Sequence, residues 1–403
     1  MKKYIIIALA ALVAFSACTK TNPEEKKSEK ISFTVANYMP QTKANSSLES
    51  EGYNSFTCNA WFFPETGANM QYMEDVAVSK KTSGNTTEWA PANDYYWPKT
   101  GYINFYSYAG SKNPSVTPST NLKTVTVKYE NVTIAEDDNF MVADPALHFG
   151  LANANANLVN IDHEQGDFDY TTGKYTYTNS TQAYTGVPTL FHHMLAKVAF
   201  VVKIKTQSAA SANTIWTVKI LNDDTNNYKS NIEALSMGSL TLTNTDEATA
   251  ATVGSWNLPS ETDKIGWVPS ASSVEGAKSE VMPFEDVTLT LPKNQTESTT
   301  ATLLPIRTVM PQATTSVGFN LAYEVSATHD GENAPFLTEV IKVAKQQLSV
   351  VASTVTAWNM NQITLYTITI DPVGAKITFD PAVVEWDSQA ATISLPIATT
   401  RGD

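Results

Sequence analysis

The sequence predicts an all-β protein: two β-sandwiches in tandem, set behind a signal peptide and a short tether. Three observations carry that prediction. Short runs of alternating apolar and polar residues recur along the chain, separated by Gly, Pro, Asn and Asp. Helical spacing over more than two turns is scarce, and 231–237 is the candidate for a helical turn or two. The 403 residues, at roughly 100–200 per domain, divide into two domains, and an apolar share of 42% supplies a core for each. The same composition excludes other classes. A disordered chain needs low hydrophobicity and high net charge. A net charge of −13 argues against nucleic acid, whose phosphates demand a basic face. Two cysteines cannot build a disulfide scaffold.

The N-terminus comes first in the order of elements. Met1-Lys2-Lys3 is a basic n-region, and the uncharged run that follows to Ala17 is shorter than the ~20 residues of a spanning helix. Residues 1–17 therefore read as a secretory signal. The run closes on Phe15-Ser16-Ala17-Cys18, which resembles the lipobox of bacterial lipoproteins, in which the cysteine is acylated and becomes the mature N-terminus. Phe15 departs from that pattern, where leucine is more usual. Ordinary cleavage, with Cys18 a spare thiol, is the other reading. If Cys18 carries the lipid, palmitate among its chains, Cys58 is the remaining thiol. Residues 18–30, rich in Lys and Glu with no apolar residue from Thr19 to Lys30, read as a flexible tether. No later stretch is long and apolar enough to span a bilayer.

The strand pattern begins directly after the tether. Ile31, Phe33 and Val35 alternate with Ser32, Thr34 and Ala36, a half-buried strand placed at 31–39. Further runs lie at 57–63, 102–108, 123–129, 174–178, 195–204, 214–221, 239–243, 286–291, 301–306, 318–325 and 338–343. A last cluster lies at 362–370, 375–379 and 383–386. Thr, Val, Tyr and Ile dominate them, as a pleated half-buried surface favours. The polar stretch 170–186 precedes a strong apolar restart, which places the division between an N-terminal sandwich, 31–189, and a C-terminal one, 190–403. Thr392-Ile393-Ser394-Leu395-Pro396-Ile397 sets Ile393, Leu395 and Ile397 on one face, inside a tail of residues 387–403.

Catalytic and metal chemistry find little support. His192 and His193 are adjacent, so in a strand they point to opposite faces and cannot share one metal. Asp162-His163-Glu164 reads as a polar turn, and Asp137-Asp138 and Asp223-Asp224 lack the spacing of a calcium loop. No Gly-x-Ser-x-Gly elbow, phosphate-cradling loop or His-Glu-x-x-His occurs. The expectation is a protein without enzymatic activity, metal or cofactor. Trp61-Phe62-Phe63 and Tyr95-Tyr96-Trp97-Pro98 are either core or platforms for sugar rings. Arg401-Gly402-Asp403 spells an integrin tripeptide, a match common by chance.

Several segments together resemble the Bacteroidales fimbrillins, type V pilins of the FimA/Mfa-like class. They are Ile31-Ser32-Phe33-Thr34-Val35 followed by Thr42-Lys43-Ala44, and Asn93-Asp94-Tyr95-Tyr96-Trp97-Pro98 followed by Ile103-Asn104-Phe105-Tyr106-Ser107-Tyr108-Ala109. Leu190-Phe191-His192-His193-Met194-Leu195-Ala196-Lys197-Val198 and the closing strands from Trp358 to Trp386 complete the set. With the lipobox they run the length of the chain. The resemblance implies two transthyretin-like sandwiches, exported as a lipoprotein to the outer membrane. It implies that a processing protease cuts at Lys43-Ala44, removing the strand of Ile31, Phe33 and Val35 with the lipid, and that a strand from another subunit fills the groove. The partners implied are other pilin subunits, identical or different, the outer membrane, the protease, and a host or bacterial surface glycan or protein.

Elementary physics favours such an exchange, because a sandwich missing a strand exposes unpaired backbone groups beside an open core. A head-to-tail contact that does not close makes a filament. Ile393, Leu395 and Ile397 are the candidate donor strand; the tail is equally readable as the last strand of its own domain. Lys43 departs from the arginine of the family's processing site. An uncut subunit suits an anchor, and stalk and tip remain open beside it. A surface glycan-binding lipoprotein that stacks sugars on its aromatic clusters is the alternative function.

Overall fold

The computed structural model describes residues 30–36, 48, 51–64, 66–83, 86–98, 102–120, 122, 125–135, 138–143, 145–149, 168–169, 174–176, 186–206, 213–244, 255–257, 267–374 and 376–385. In chain order the strands begin β1 (Phe33–Ala36), β2 (Ser55–Phe63), β3 (Met70–Ser83), β4 (Thr86–Pro91) and β5 (Tyr102–Gly110). Next come β6 (Ser115–Pro118), β7 (Val125–Thr133), β8 (Phe140–Ala143), β9 (Ala146–Phe149), β10 (Phe168–Asp169), β11 (Lys174–Thr176) and β12 (Val187–His193). The second half holds β13 (Ala196–Ile204), β14 (Thr214–Ile220), β15 (Asn231–Asn244), β16 (Ser255–Asn257), β17 (Trp267–Pro283), β18 (Thr288–Leu291) and β19 (Ala301–Val309). It ends with β20 (Gln312–Ala313), β21 (Gly318–His329), β22 (Pro335–Gln347), β23 (Ala357–Trp358), β24 (Gln362–Asp371) and β25 (Lys376–Glu385).

The first unit is one curled sheet in the order β2-β3-β4-β1-β12-β8-β5-β9, and β5 returns to pair with β2. The strands thus close into a ring, with a core inside it built from Phe33, Phe56, Cys58, Trp89, Phe105, Met141 and Phe191 among others. The second unit stacks two sheets. Strands β19-β13-β24-β25 form one layer, and β18-β14-β21-β15 form the other, with β22 and β17 on its flanks. Between them lie Phe200, Phe284, Phe319, Tyr366 and Trp358. Strand β13 is buried along most of its length, as expected of a central strand paired in parallel with β24.

Strand alternation also builds the joint between the units. On β2, Phe56 and Cys58 point into the ring while Trp61 and Phe63 point out. On β8, Met141 and Ala143 point in while Phe140 and Val142 point out. The outward set packs on Val125, Val127 and Tyr129 of β7 and on Leu240 and Leu242 of β15. Strand β7, although early in sequence, ladders with β15 of the second unit. The chain crosses at Met194-Leu195, between β12 of the ring and β13 of the sandwich, so residue 190 lies inside a strand.

Two local expectations change. Residues 231–237 are no helical turn but the start of β15. Ile232 and Ala234 are buried and Glu233 faces outward, and β17 and β21 pair on both sides, so tertiary pairing overrides the local spacing. The runs 375–379 and 383–386 are one strand, β25. Pro381 sits within it opposite Tyr366 of β24, and among the described residues β25 pairs with no other strand, so its far edge needs no donor.

Candidate functional site

Strand β1 is the thinnest part of the ring. Its four residues run parallel to β12, Phe33 opposite Val187 through Ala36 opposite Leu190. Toward β4 it has a single paired position, Phe33 opposite Trp89. The Ile31 N–H donates to the Tyr95 carbonyl at 2.8 Å, and the Val187 N–H donates to the Ser32 carbonyl at 2.8 Å. Lys30 pairs with Asp94 at 2.6 Å at the entrance. Without β1 the ring is open between β4 and β12.

The side chains predicted for this strand lie where the alternation puts them. Ile31 and Phe33 are 2% and 3% exposed, and Val35 is half-buried against the same core. The Phe33 ring meets Phe56 edge-on at 5.5 Å and Phe105 at 5.7 Å. Burying two such side chains stabilises by about 1.5–3 kcal/mol each. The segment 31–36 thus rests on two buried side chains and a single paired position toward β4, contacts that a competing strand with the same side chains can reproduce.

The groove's walls were not legible in sequence. Gly186 is the clearest omission: a Cβ there would lie 2.8 Å from the Ser32 carbonyl carbon and oxygen and from the Phe33 carbonyl carbon. The backbones touch, and only glycine allows it. Its sole signal was a glycine immediately before an apolar strand. Leu48, fully buried, and Tyr53, whose hydroxyl donates to the Asn139 carbonyl at 3.0 Å, pin the chain that follows β1 onto the ring.

Beyond the groove, His193 is buried at the joint between the units. Its Nδ1 lies 2.7 Å from Asn139 Oδ1, its backbone N–H donates to Asn361 Oδ1, and Glu51 Oε1 stands 3.7 Å from Nε2. Burial first, then the charges of Lys197 and His192, hold its pKa well below the ordinary value. Asp138 is nearby. Burial pushes its carboxyl up, but the Ala135 N–H, the Ser111 hydroxyl and Lys112 outweigh this and hold it below the usual range.

Acid lability follows from both groups. An unfolded His193 takes a proton below about pH 6.5 while the folded one stays neutral, so stability falls as pH drops from there toward the folded value. The contribution of Asp138 is complete above the unfolded carboxylate range and is lost as pH falls through its lower folded value. Urea unfolding at stepped pH should show stability declining from pH 6.5 to 5 by up to about 1.4 kcal/mol per unit for one proton. His193→Gln should flatten that interval; an unchanged slope would assign the titration elsewhere.

The remaining sequence candidates resolve in several ways. Cys58 is a free, buried thiol, pushed up to about 12 by burial, and is inert core. Trp61 and Trp97 are 2% and 8% exposed, which removes them as sugar platforms; of that group Tyr96 alone is exposed. Asp223 closes a turn, accepting from the Thr225 N–H and the Asn226 amide. Among the described residues no three metal-ligating side chains cluster, and no helix is long and apolar enough to cross a membrane. Cys18, Lys43, Ala44, Asp162-His163-Glu164, Ile393, Leu395, Ile397 and Arg401-Gly402-Asp403 lie outside the described residues.

The fold and site together define a tandem all-β protein whose first unit is closed by its first strand. Solved structures it resembles include fimbrial proteins and putative cell adhesion proteins from Bacteroides, Parabacteroides and Porphyromonas. One is a fimbrial protein from Bacteroides vulgatus, at TM-score 0.46 and 13% identity, covering 89% of this chain and 99% of that one. Another is the fimbrial anchor protein Mfa2 from Porphyromonas gingivalis, at TM-score 0.28 and 10% identity, covering 89% and 96%. A third is the tip fimbrial protein Mfa3 from the same organism, at TM-score 0.29 and 10% identity, covering 83% and 94%. No protein-family model matches the chain, and no curated protein sequence matches it.

Proposed function

We propose that this chain is a subunit of a cell-surface pilus, lipid-anchored through Cys18 before assembly and joined to its neighbours by exchange of β1. The observation that carries the reading is the placement of the first segment, 31–36: it supplies two buried side chains and closes the ring through a single paired position toward β4. A cut at Lys43-Ala44 removes it, and the Leu48–Tyr53 contacts keep the rest of the chain in place. The open groove then holds unpaired N–H and C=O groups beside an apolar core, a site for strand addition from another subunit. The tail 387–403, with Ile393, Leu395 and Ile397, is the strand this chain offers in turn. The role is structural and adhesive, and catalysis has no part in it.

Limited proteolysis of the chain from residue 19, with mass and size analysis, tests this. Cleavage at Lys43-Ala44 should release the β1 segment and open the groove to an added peptide of residues 30–37 or to the donor strand of another subunit. A cut chain that keeps β1 and stays monomeric defeats strand exchange. The glycan-binding alternative has lost its two tryptophans to the core.

A further inference from the structure

We infer that the β1 groove selects its strand by an aromatic side chain, so its partner is a subunit whose donor segment carries an aliphatic residue followed, two places on, by phenylalanine. The inference rests on the exchange reading and names the partner's chemistry. The site of Phe33 is a box of rings. Phe56 and Phe105 meet Phe33 edge-on at 5.5 and 5.7 Å. Those walls are themselves braced. Phe191 holds Phe56 at 5.2 Å, Trp89 holds it at 5.6 Å, and Trp97 holds Phe105 at 5.9 Å.

The braces come from β4, β12 and the segment after β4, so the box cannot collapse round a smaller side chain, and an aliphatic occupant leaves a void and forfeits both ring contacts. The other two positions are less exacting: Ile31 is aliphatic and Val35 is half-buried. Register leaves no freedom to compensate. Gly186 brings the β12 entry flush against the backbone of Ser32 and Phe33, and the Val187 N–H takes the Ser32 carbonyl, so an incoming parallel strand must deliver its ring where Phe33 delivers it. The tail of this chain offers Ile393, Leu395 and Ile397, aliphatic at all three positions. A second copy is therefore a poor donor, and a different, phenylalanine-bearing subunit is the preferred one.

The test uses the full chain with a specific protease site placed at residues 42–44 and a fluorescent label on the β1 segment. After cutting, three peptides compete for the groove: residues 30–37, the same peptide with Phe33→Leu, and residues 391–398. The first should displace the label at about tenfold lower concentration than the other two. Equal potency of all three overturns the aromatic selection while leaving exchange intact. Displacement by none of them overturns exchange itself and the selection with it. In the uncut chain, Phe33→Leu should speed hydrogen exchange at the Val187 N–H by about tenfold; unchanged exchange again overturns the selection.

Discussion

Phe33→Ala is expected to free β1 from the ring in the uncut chain. Truncating a fully buried phenylalanine costs about 3–5 kcal/mol, part of it for the cavity left behind. The segment 31–36 rests on two buried side chains, and this change removes the larger of them. The loss should therefore surface as local release. Protease sensitivity would appear within residues 30–36, and protection would vanish from the Val187 N–H, which donates to the Ser32 carbonyl. The second unit, with its separate core around Phe200 and Tyr366, should keep its protection. Val35→Ala, at a half-buried position, is the matched control and should change little. Full retention of protection at Val187 in Phe33→Ala would mean that the ring of aromatics does not hold the strand.

How much of this was readable beforehand depends on how far each feature is encoded locally. The face of β1 was legible, since alternation of Ile31, Phe33 and Val35 fixes which side chains go inward in any strand. The all-β class was legible for the same reason. Long strands such as β3 and β17 were not, because Met70–Ser83 and Trp267–Pro283 carry many polar and charged residues and owe their extension to their neighbours. The start of β15 was misread as helical for want of those neighbours. Nor could local pattern reveal that β5 pairs back onto β2, or that β7 leaves the first unit to ladder with β15. The groove was half legible. Its occupant lies in one short segment, while its walls, Phe56, Trp89, Phe105, Gly186 and Phe191, come from four places in the chain and meet only in three dimensions.

Gly186→Ala should act on the same groove from its wall, not from its occupant. The added Cβ would lie 2.8 Å from backbone atoms of Ser32 and Phe33, which have no rotamer to change. Strand β12 cannot retreat, because its far end is paired with β8 through Phe191–Ala143, His192–Val142 and His193–Met141. The strand in the groove must lift instead, at a cost of about 1–3 kcal/mol typical of an overfilled core. That displacement also pulls apart the bond from the Val187 N–H to the Ser32 carbonyl. Phe33→Ala weakens the resident strand and leaves the groove intact, so the variant should take up a peptide of residues 30–37. Gly186→Ala weakens resident and replacement alike, so it should lose β1 protection and also fail to take up that peptide. Size and fluorescence measurements on the two variants side by side separate the cases. If Gly186→Ala binds the peptide as tightly as Phe33→Ala does, the close approach at Gly186 is not what seats the strand, and the flush parallel docking must be abandoned.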